Sequence, residues 1–126
     1  IKNKQNEKFQ KRWWWWCRFI DNEKLRVITR RDLPSSYQAV QAGHAAIQFQ
    51  HEHNEIAKNW YTNSNYLVYL SVENEDDLKS YIKKAEEANI KTSIFREPDM
   101  NNEITAITLE PSVVSKKLTS RLSLMK

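Results

Sequence analysis

The chain has 126 residues, of which 40% are hydrophobic and 29% charged, a balance typical of one globular domain. It contains one glycine and one cysteine, which excludes glycine-rich phosphate loops, an intramolecular disulfide framework and a zinc site built from cysteines. The formal net charge of +4 belongs entirely to residues 1–24, so residues 25–126 are neutral and the total charge is a weak argument for nucleic acid binding.

Residues 1–23 differ from the rest of the chain and are predicted to form a basic, tryptophan-rich extension before a domain at residues 24–126. Trp13–Trp16 are consecutive, so they fit neither the helical nor the strand period. Tryptophans beside cations suit a membrane surface or base stacking, but an extension outside the fold is the simpler interpretation. No apolar run approaches the ~20 residues of a membrane span, and no signal peptide is recognisable, which favours a cytoplasmic location.

From Lys24 onward, the hydrophobic pattern predicts elements in the order β-α-α-β-α-β-β-α. The predicted strands cover residues 25–29, 66–72, 91–96 and 104–109, and the predicted helices cover residues 37–52, 54–61, 75–89 and 113–122. A serine after Pro34 is expected to cap the first helix, and Asn74 the third. Strands separated by helices indicate an α/β fold, a three-layer α/β/α sandwich around a four-stranded, mostly parallel mixed sheet.

Two positions in this pattern are candidates for a site. One side of the first helix carries small or apolar residues that suit packing on the sheet: Ala39, Ala42, Ala46 and Phe49. His44 lies opposite them, where it either lines a site or belongs to a solvated face. Glu97 follows a strand, and ligands of open α/β sheets bind at such ends, although a solvated turn also suits it. His51 and His53 point nearly opposite ways on a helix, so no metal site is predicted.

Several segments, kept in order, resemble the type 2 peptidyl-tRNA hydrolase family. Residues 27–33 are similar to its first strand and R-x-D-L ending, and Gln41–Ala46 resembles its Q-x-x-H-A-A helix. Further matches are the strand running into its Q-D position, its T-V-L-G-I-G-P strand and its C-terminal G-H-L-K-L, at residues 92–97, 105–111 and 121–124. The resemblance covers residues 24–126 and implies an α/β/α sandwich that hydrolyses the ester bond of peptidyl-tRNA or another acyl-tRNA without a cofactor or a metal.

The resemblance also implies which residues form the catalytic site. His44 matches the family's histidine and Thr105 one of its threonines, whereas Tyr37 and Glu97 stand where the family has lysine and aspartate. Pro98–Asn101 replaces the family's A-G-R-T turn. By this resemblance His44 activates water, Glu97 orients the water or acts as the base, and Thr105 supplies a hydroxyl. Tyr37 removes a fixed positive charge that could stabilise a phosphate or an oxyanion.

Substrate contacts are expected from Gln41 and from bases that could bind tRNA phosphates, namely Arg30, Arg31, Lys116, Lys117 and Arg121. Because Tyr37 and the altered turn depart from the family pattern, a second hypothesis is a module that keeps the fold and binds tRNA or a protein without catalysis. A third hypothesis assigns the function to Trp13–Trp16 as an anchor on a membrane surface or a partner. A monomer and a homodimer are both compatible with the sequence.

Overall fold

The computed structural model of the protein describes residues 24–125. Its elements are β1 (Leu25–Arg30), α1 (Ser35–Glu52), α2 (Asn54–Thr62), β2 (Leu67–Val72), α3 (Glu75–Glu87), β3 (Thr92–Glu97), a 3-10 turn (Pro98–Met100), β4 (Glu103–Leu109), α4 (Val113–Leu118) and β5 (Ser123–Leu124). The predicted N-terminal extension with Trp13–Trp16 lies outside the described residues. Within the described range, no helix is both long and apolar enough to cross a bilayer.

The strands form one mixed sheet of five strands in the order β3-β4-β1-β2-β5. β1 and β2 run parallel, with Leu25 opposite Leu67, whereas the β1–β4, β3–β4 and β2–β5 pairs are antiparallel. The expectation of four mostly parallel strands was therefore wrong. It failed because β4 inserts antiparallel between β3 and β1, and because the chain forms a fifth strand after its last helix.

That fifth strand replaces the end of the predicted last helix. α4 ends at Leu118, and the Thr119 hydroxyl donates to the Ser115 carbonyl over 2.8 Å in the final turn. The chain then turns, and Ser123 and Leu124 pair with β2. The helix predicted to continue through residue 122 is consequently shorter than expected, since the edge of β2 provides backbone partners for the following residues.

The helix starts agree with the predictions in one case and differ in another. Asn74 caps α3 as predicted, because its Oδ1 accepts a hydrogen bond from the Asp77 backbone N–H over 3.1 Å. The predicted serine cap of α1 was wrong, because Pro34 occupies the N-cap position without a side-chain hydrogen bond and Ser35 is already helical. α1 therefore begins two residues earlier than the hydrophobic pattern indicated.

Helices pack on both faces of the sheet, because successive strand residues point to opposite sides. Val27 packs with alanines of α1, and the next residue, Ile28, packs with Leu78 and Ile82 of α3. The buried side of α1 includes Ala42, Ala45, Ala46 and Phe49, as well as two glutamines, Gln38 and Gln41. Ala39, expected to be buried, is exposed. The small residues let α1 lie close to the sheet, and the glutamines mark where it meets polar groups.

Candidate functional site

Three strand ends and the first turns of α1 meet at one edge of the sheet. Glu97, the last residue of β3, pairs with Glu103, the first residue of β4. β4 also pairs antiparallel with β1, so the amino end of β4 and the carboxyl ends of β1 and β3 share this edge. The position predicted for Glu97 thus lies at an edge of the sheet where polar side chains from several elements converge.

Gln41 connects α1 to two strands through a buried amide. Its Nε2 donates a hydrogen bond to Glu97 Oε2 over 2.8 Å, and its Oε1 accepts one from the Thr105 hydroxyl over 2.6 Å. An ionised carboxylate only accepts hydrogen bonds, which fixes the nitrogen of the amide toward Glu97 and makes Thr105 the donor. Gln41 is 1% exposed, and this burial argues against the direct substrate contact that we expected and favours a role in positioning the carboxylate.

A β-bulge brings Thr105 to Gln41. Phe95 pairs with Ala106 and Arg96 pairs with Ile104, so Thr105 is an extra residue of β4 at this point. Bulges re-aim side chains and are common beside active sites. This one directs Thr105 toward the same helix on which Ala106 packs. Thr105 is fully buried and donates inward, so its geometry supports a positioning role rather than the expected contact of its hydroxyl with substrate.

His44 lies one turn after Gln41, on the exposed side of α1. Its ring stacks on Phe95, with ring centroids 4.7 Å apart and planes 7° from parallel. Phe95 and Glu97 lie two residues apart in β3 and therefore on the same face. The imidazole and the carboxylate consequently occupy neighbouring positions on one surface. Phe95 was not among the residues expected at the site, although it lies one strand period before Glu97.

Tyr37 lies one turn before Gln41 and completes this group of side chains. Its partial burial, the negative charges of Glu97 and Asp99, and a side-chain hydrogen bond with Glu97 raise the pKa of Tyr37 above its ordinary value of 10.0. The phenol is therefore protonated at neutral pH and is able to donate a hydrogen bond. The Asp99 backbone N–H also donates to Glu97 Oε1 over 3.3 Å. Both carboxylate oxygens of Glu97 are thus held by the protein.

Two of the predicted phosphate-binding residues are engaged in ion pairs at this edge. Arg30 is buried, and its guanidinium donates to Asp32 over 2.8 and 2.9 Å and to Glu103 over 2.8 Å. Arg31 Nη1 lies 3.1 Å from Glu73. The two carboxylates around Arg30 more than balance its single positive charge, and the pairs link β1 to the start of β4. This arrangement argues against the expected role of Arg30 in binding phosphate.

The other predicted bases lie away from His44 and Glu97. Lys116 and Lys117 belong to α4, which follows the carboxyl end of β4, whereas Glu97 pairs with the amino end of that strand. A strand of this length spans about 20 Å at ~3.3 Å per residue. Leu118 of α4 packs against the same core as α3, on the sheet face opposite α1. Lys116, Lys117 and Arg121 therefore do not join the group around His44.

The histidines that were considered as metal ligands have other surroundings. His53 Nε2 lies 2.9 Å from the Thr92 carbonyl oxygen, and His51 is exposed. Among residues 24–125, no three or more histidine, cysteine, aspartate or glutamate side chains are grouped as metal ligands. His53 therefore acts as a link between the end of α1 and the start of β3.

Comparison with known proteins identifies a family and a similar solved structure. A family model described as peptidyl-tRNA hydrolase PTH2 matches residues 23–125. Among solved structures, the chain is similar to a protein of unknown function from Agrobacterium tumefaciens strain C58, with a TM-score of 0.60 and 16% sequence identity over 82% of this chain and 97% of the other. That similarity supports the fold alone. No curated protein matches the chain significantly.

Proposed function

The chain belongs to the PTH2 family of peptidyl-tRNA hydrolases, and from that premise we propose that it hydrolyses the ester bond between tRNA and a peptidyl or other acyl group. The observation that best supports this proposal is the buried Gln41 amide, which holds the Glu97 carboxylate on the surface where His44 is exposed. A rigid carboxylate beside an accessible imidazole suits general acid–base catalysis of the attack of water on an ester.

In the proposed reaction, His44 removes a proton from water as the water oxygen attacks the ester carbonyl carbon. The stack on Phe95 restrains the imidazole ring while leaving the side chain exposed. Glu97 receives hydrogen bonds from Gln41, Asp99 and Tyr37, but an ionised carboxylate offers about four acceptor positions. It therefore retains a position for the second hydrogen of the attacking water, which orients the oxygen toward the ester.

The tetrahedral intermediate carries a negative charge on the former carbonyl oxygen, and Tyr37 is the proposed donor to it. Its raised pKa keeps the phenol protonated, so the hydroxyl, on turning from Glu97 to the oxyanion, provides a neutral hydrogen bond where the family resemblance places a lysine. When the intermediate collapses, the bond between the carbonyl carbon and the ribose oxygen breaks. The imidazolium of His44 returns its proton to that oxygen, which releases free tRNA and the acid.

The test is the release of tRNA from N-acetylated aminoacyl-tRNA by the purified chain. We expect His44→Ala and Glu97→Gln each to lower kcat/KM by about 10²–10⁴, the usual contribution of a general acid or base. The double variant should be scarcely slower than either single variant, because the two groups act on one water. His51→Ala is the matched control, since His51 is an exposed histidine of the same helix.

Each outcome has a definite meaning. Wild-type rates in both His44→Ala and Glu97→Gln would show that this surface is not catalytic. A wild-type chain that binds acyl-tRNA but does not hydrolyse it would instead support the alternative of a binding module. The presence of Tyr37 favours this alternative, because a tyrosine provides no positive charge beside Glu97 and Asp99.

A further inference from the structure

Two exposed aliphatic side chains flank His44 on α1. Val40 is 56% exposed and Ile47 is 68% exposed. They precede and follow His44 by four and three residues, the spacings at which helix side chains are neighbours. Single exposed apolar residues are ordinary on protein surfaces. These two differ because both lie beside the histidine of the proposed site.

The helix surface between these side chains is open. Gly43 lies on this side of α1, and a Cβ atom placed on it would meet no atom within 4 Å. Val40, Gly43 and Ile47 follow the spacing of one helix face and carry no charge. We name these three residues the aliphatic strip. A group bound at His44 could extend along it without displacing any protein atom near Gly43.

The other side of His44 is already occupied by the protein. Phe95 covers one face of the imidazole, and Gln48, one turn later, donates its Nε2 to the Ile94 carbonyl over 3.0 Å. Toward the start of α1, the negative charges of Glu97 and Asp99 act on Tyr37. The aliphatic strip is therefore the uncharged, uncovered surface beside His44 among the described residues.

We propose that the aliphatic strip binds the apolar side chain of the aminoacyl residue whose ester is hydrolysed, an inference that rests on the proposed function. The charges favour this occupant. A tRNA phosphate would gain nothing from aliphatic contacts and would be repelled by Glu97 and Asp99. An aliphatic side chain gains free energy when it and the strip are removed from water. The strip thus selects among acyl groups by their side chains.

The experiment compares N-acetyl-leucyl-tRNA with N-acetyl-glycyl-tRNA, which have the same blocked amino group and differ in the side chain. We expect wild-type kcat/KM to be about 10-fold higher for the leucyl ester, the lower end of the discrimination found in apolar pockets. Val40→Ala combined with Ile47→Ala should bring the ratio of the two kcat/KM values close to one. Val113→Ala is the matched control, because Val113 is 47% exposed on α4, and it should keep the wild-type ratio.

Three results would overturn this assignment while leaving hydrolysis intact. An equal loss on both substrates would show that Val40 and Ile47 support the helix or His44. Weaker inhibition by free adenosine in the double variant would assign the strip to the terminal nucleoside. A wild-type dimer that becomes a monomer in the double variant, measured by sedimentation, would assign it to self-association. A wild-type chain inert toward both esters would instead refute the proposed function, and this inference with it.

Discussion

The Gln41 amide nitrogen donates a hydrogen bond to Glu97 Oε2 across 2.8 Å, so a helix residue sets the position of a carboxylate on a neighbouring strand. Gln38, on the same helix, is equally buried at 1% exposure. Its amide instead accepts from the Thr29 hydroxyl and donates to the Leu33 carbonyl. The two glutamines thus share burial and bonding to a strand threonine, but the amide nitrogen of Gln38 donates to a backbone carbonyl and that of Gln41 to the Glu97 carboxylate.

This difference predicts that Gln41→Met and Gln38→Met separate activity from stability. Each variant should lose about 1–3 kcal/mol in the free energy of unfolding, because buried polar partners are left unsatisfied. Gln41→Met should also lower kcat/KM about 10²-fold, since Glu97 is no longer held in place. Urea unfolding and acyl-tRNA hydrolysis measure the two effects. Equal losses of activity in both variants would contradict the positioning role of Gln41.

Most elements of the fold follow from hydrophobic periods and cap residues. β1 contains the apolar and β-branched residues Leu25, Val27, Ile28 and Thr29, and Asn74 before three acidic residues marks the start of α3. β5 was not predictable in this way, because two residues carry no period. Ser123 and Leu124 become a strand only where β2 offers them an edge. The antiparallel insertion of β4 is likewise decided by packing rather than by local pattern.

The candidate site likewise contains residues that local sequence patterns predict and contacts that depend on the fold. His44 and Glu97 were identified because a helix projection and a strand end are local properties, and the family resemblance paired them. The bridge through Gln41 was not predictable, since a glutamine is ordinarily placed on the solvent side of a helix. Its burial depends on Thr105, and Thr105 reaches it through a bulge that has no local signature. The ion pair of Arg30 with Glu103 was not predictable, because the two residues are distant in sequence.

The ion pair between Arg30 and Asp32 predicts a pH-dependent contribution to stability. A hydrogen bond from Arg30, aided by its charge, outweighs burial and holds the pKa of Asp32 below its ordinary value of 3.8. A carboxyl group with a lowered pKa in the folded state stabilises the fold above its unfolded pKa, and this contribution is lost as the pH falls through the folded pKa. Acid should therefore weaken the wild type more than Asp32→Asn.

We expect Asp32→Asn to lower the free energy of unfolding at pH 7 by about 1 kcal/mol at most, because the Asp32 side chain is 40% exposed and solvent screens the pair. The difference between the two proteins should persist down to the ordinary pKa of 3.8 and be lost as the pH falls further, through the lower pKa of folded Asp32. Urea unfolding across the acid range measures this difference. A gap that does not change with pH would show that Asp32 acts through packing alone.

The position of α4 predicts that Lys117 affects tRNA affinity and not the chemical step. Lys117 is exposed and lies near the opposite end of β4 from Glu97. We expect Lys117→Glu to raise KM for acyl-tRNA, leave kcat unchanged and reduce the salt dependence of binding by about one counterion. Lys83→Glu on α3 makes the same charge change at another exposed position. Equal effects of the two variants would show a response to net charge rather than a phosphate contact.

The pair Tyr37 and Glu97 predicts that restoring the family's residues works only when both are restored. Glu97→Asp draws the carboxylate back by about 1.5 Å, one carbon–carbon bond, and so weakens its hydrogen bond from Gln41. Tyr37→Lys places a positive charge beside Glu97 and Asp99, which pulls the longer carboxylate away from Gln41. We expect each single variant to lower kcat/KM about 10-fold, as moderate misplacement of a catalytic group does.

In the double variant, the shorter carboxylate faces the lysine that the family resemblance pairs with it, and activity should return close to the wild-type value. A double-mutant cycle on acyl-tRNA hydrolysis measures this coupling. Tyr37→Phe is the control that removes the phenol hydroxyl without adding a charge. Because the pKa of Tyr37 is raised above 10.0, the wild-type hydroxyl keeps its proton up to at least that pH. Independent, multiplying losses in the double variant would show that the two positions do not interact.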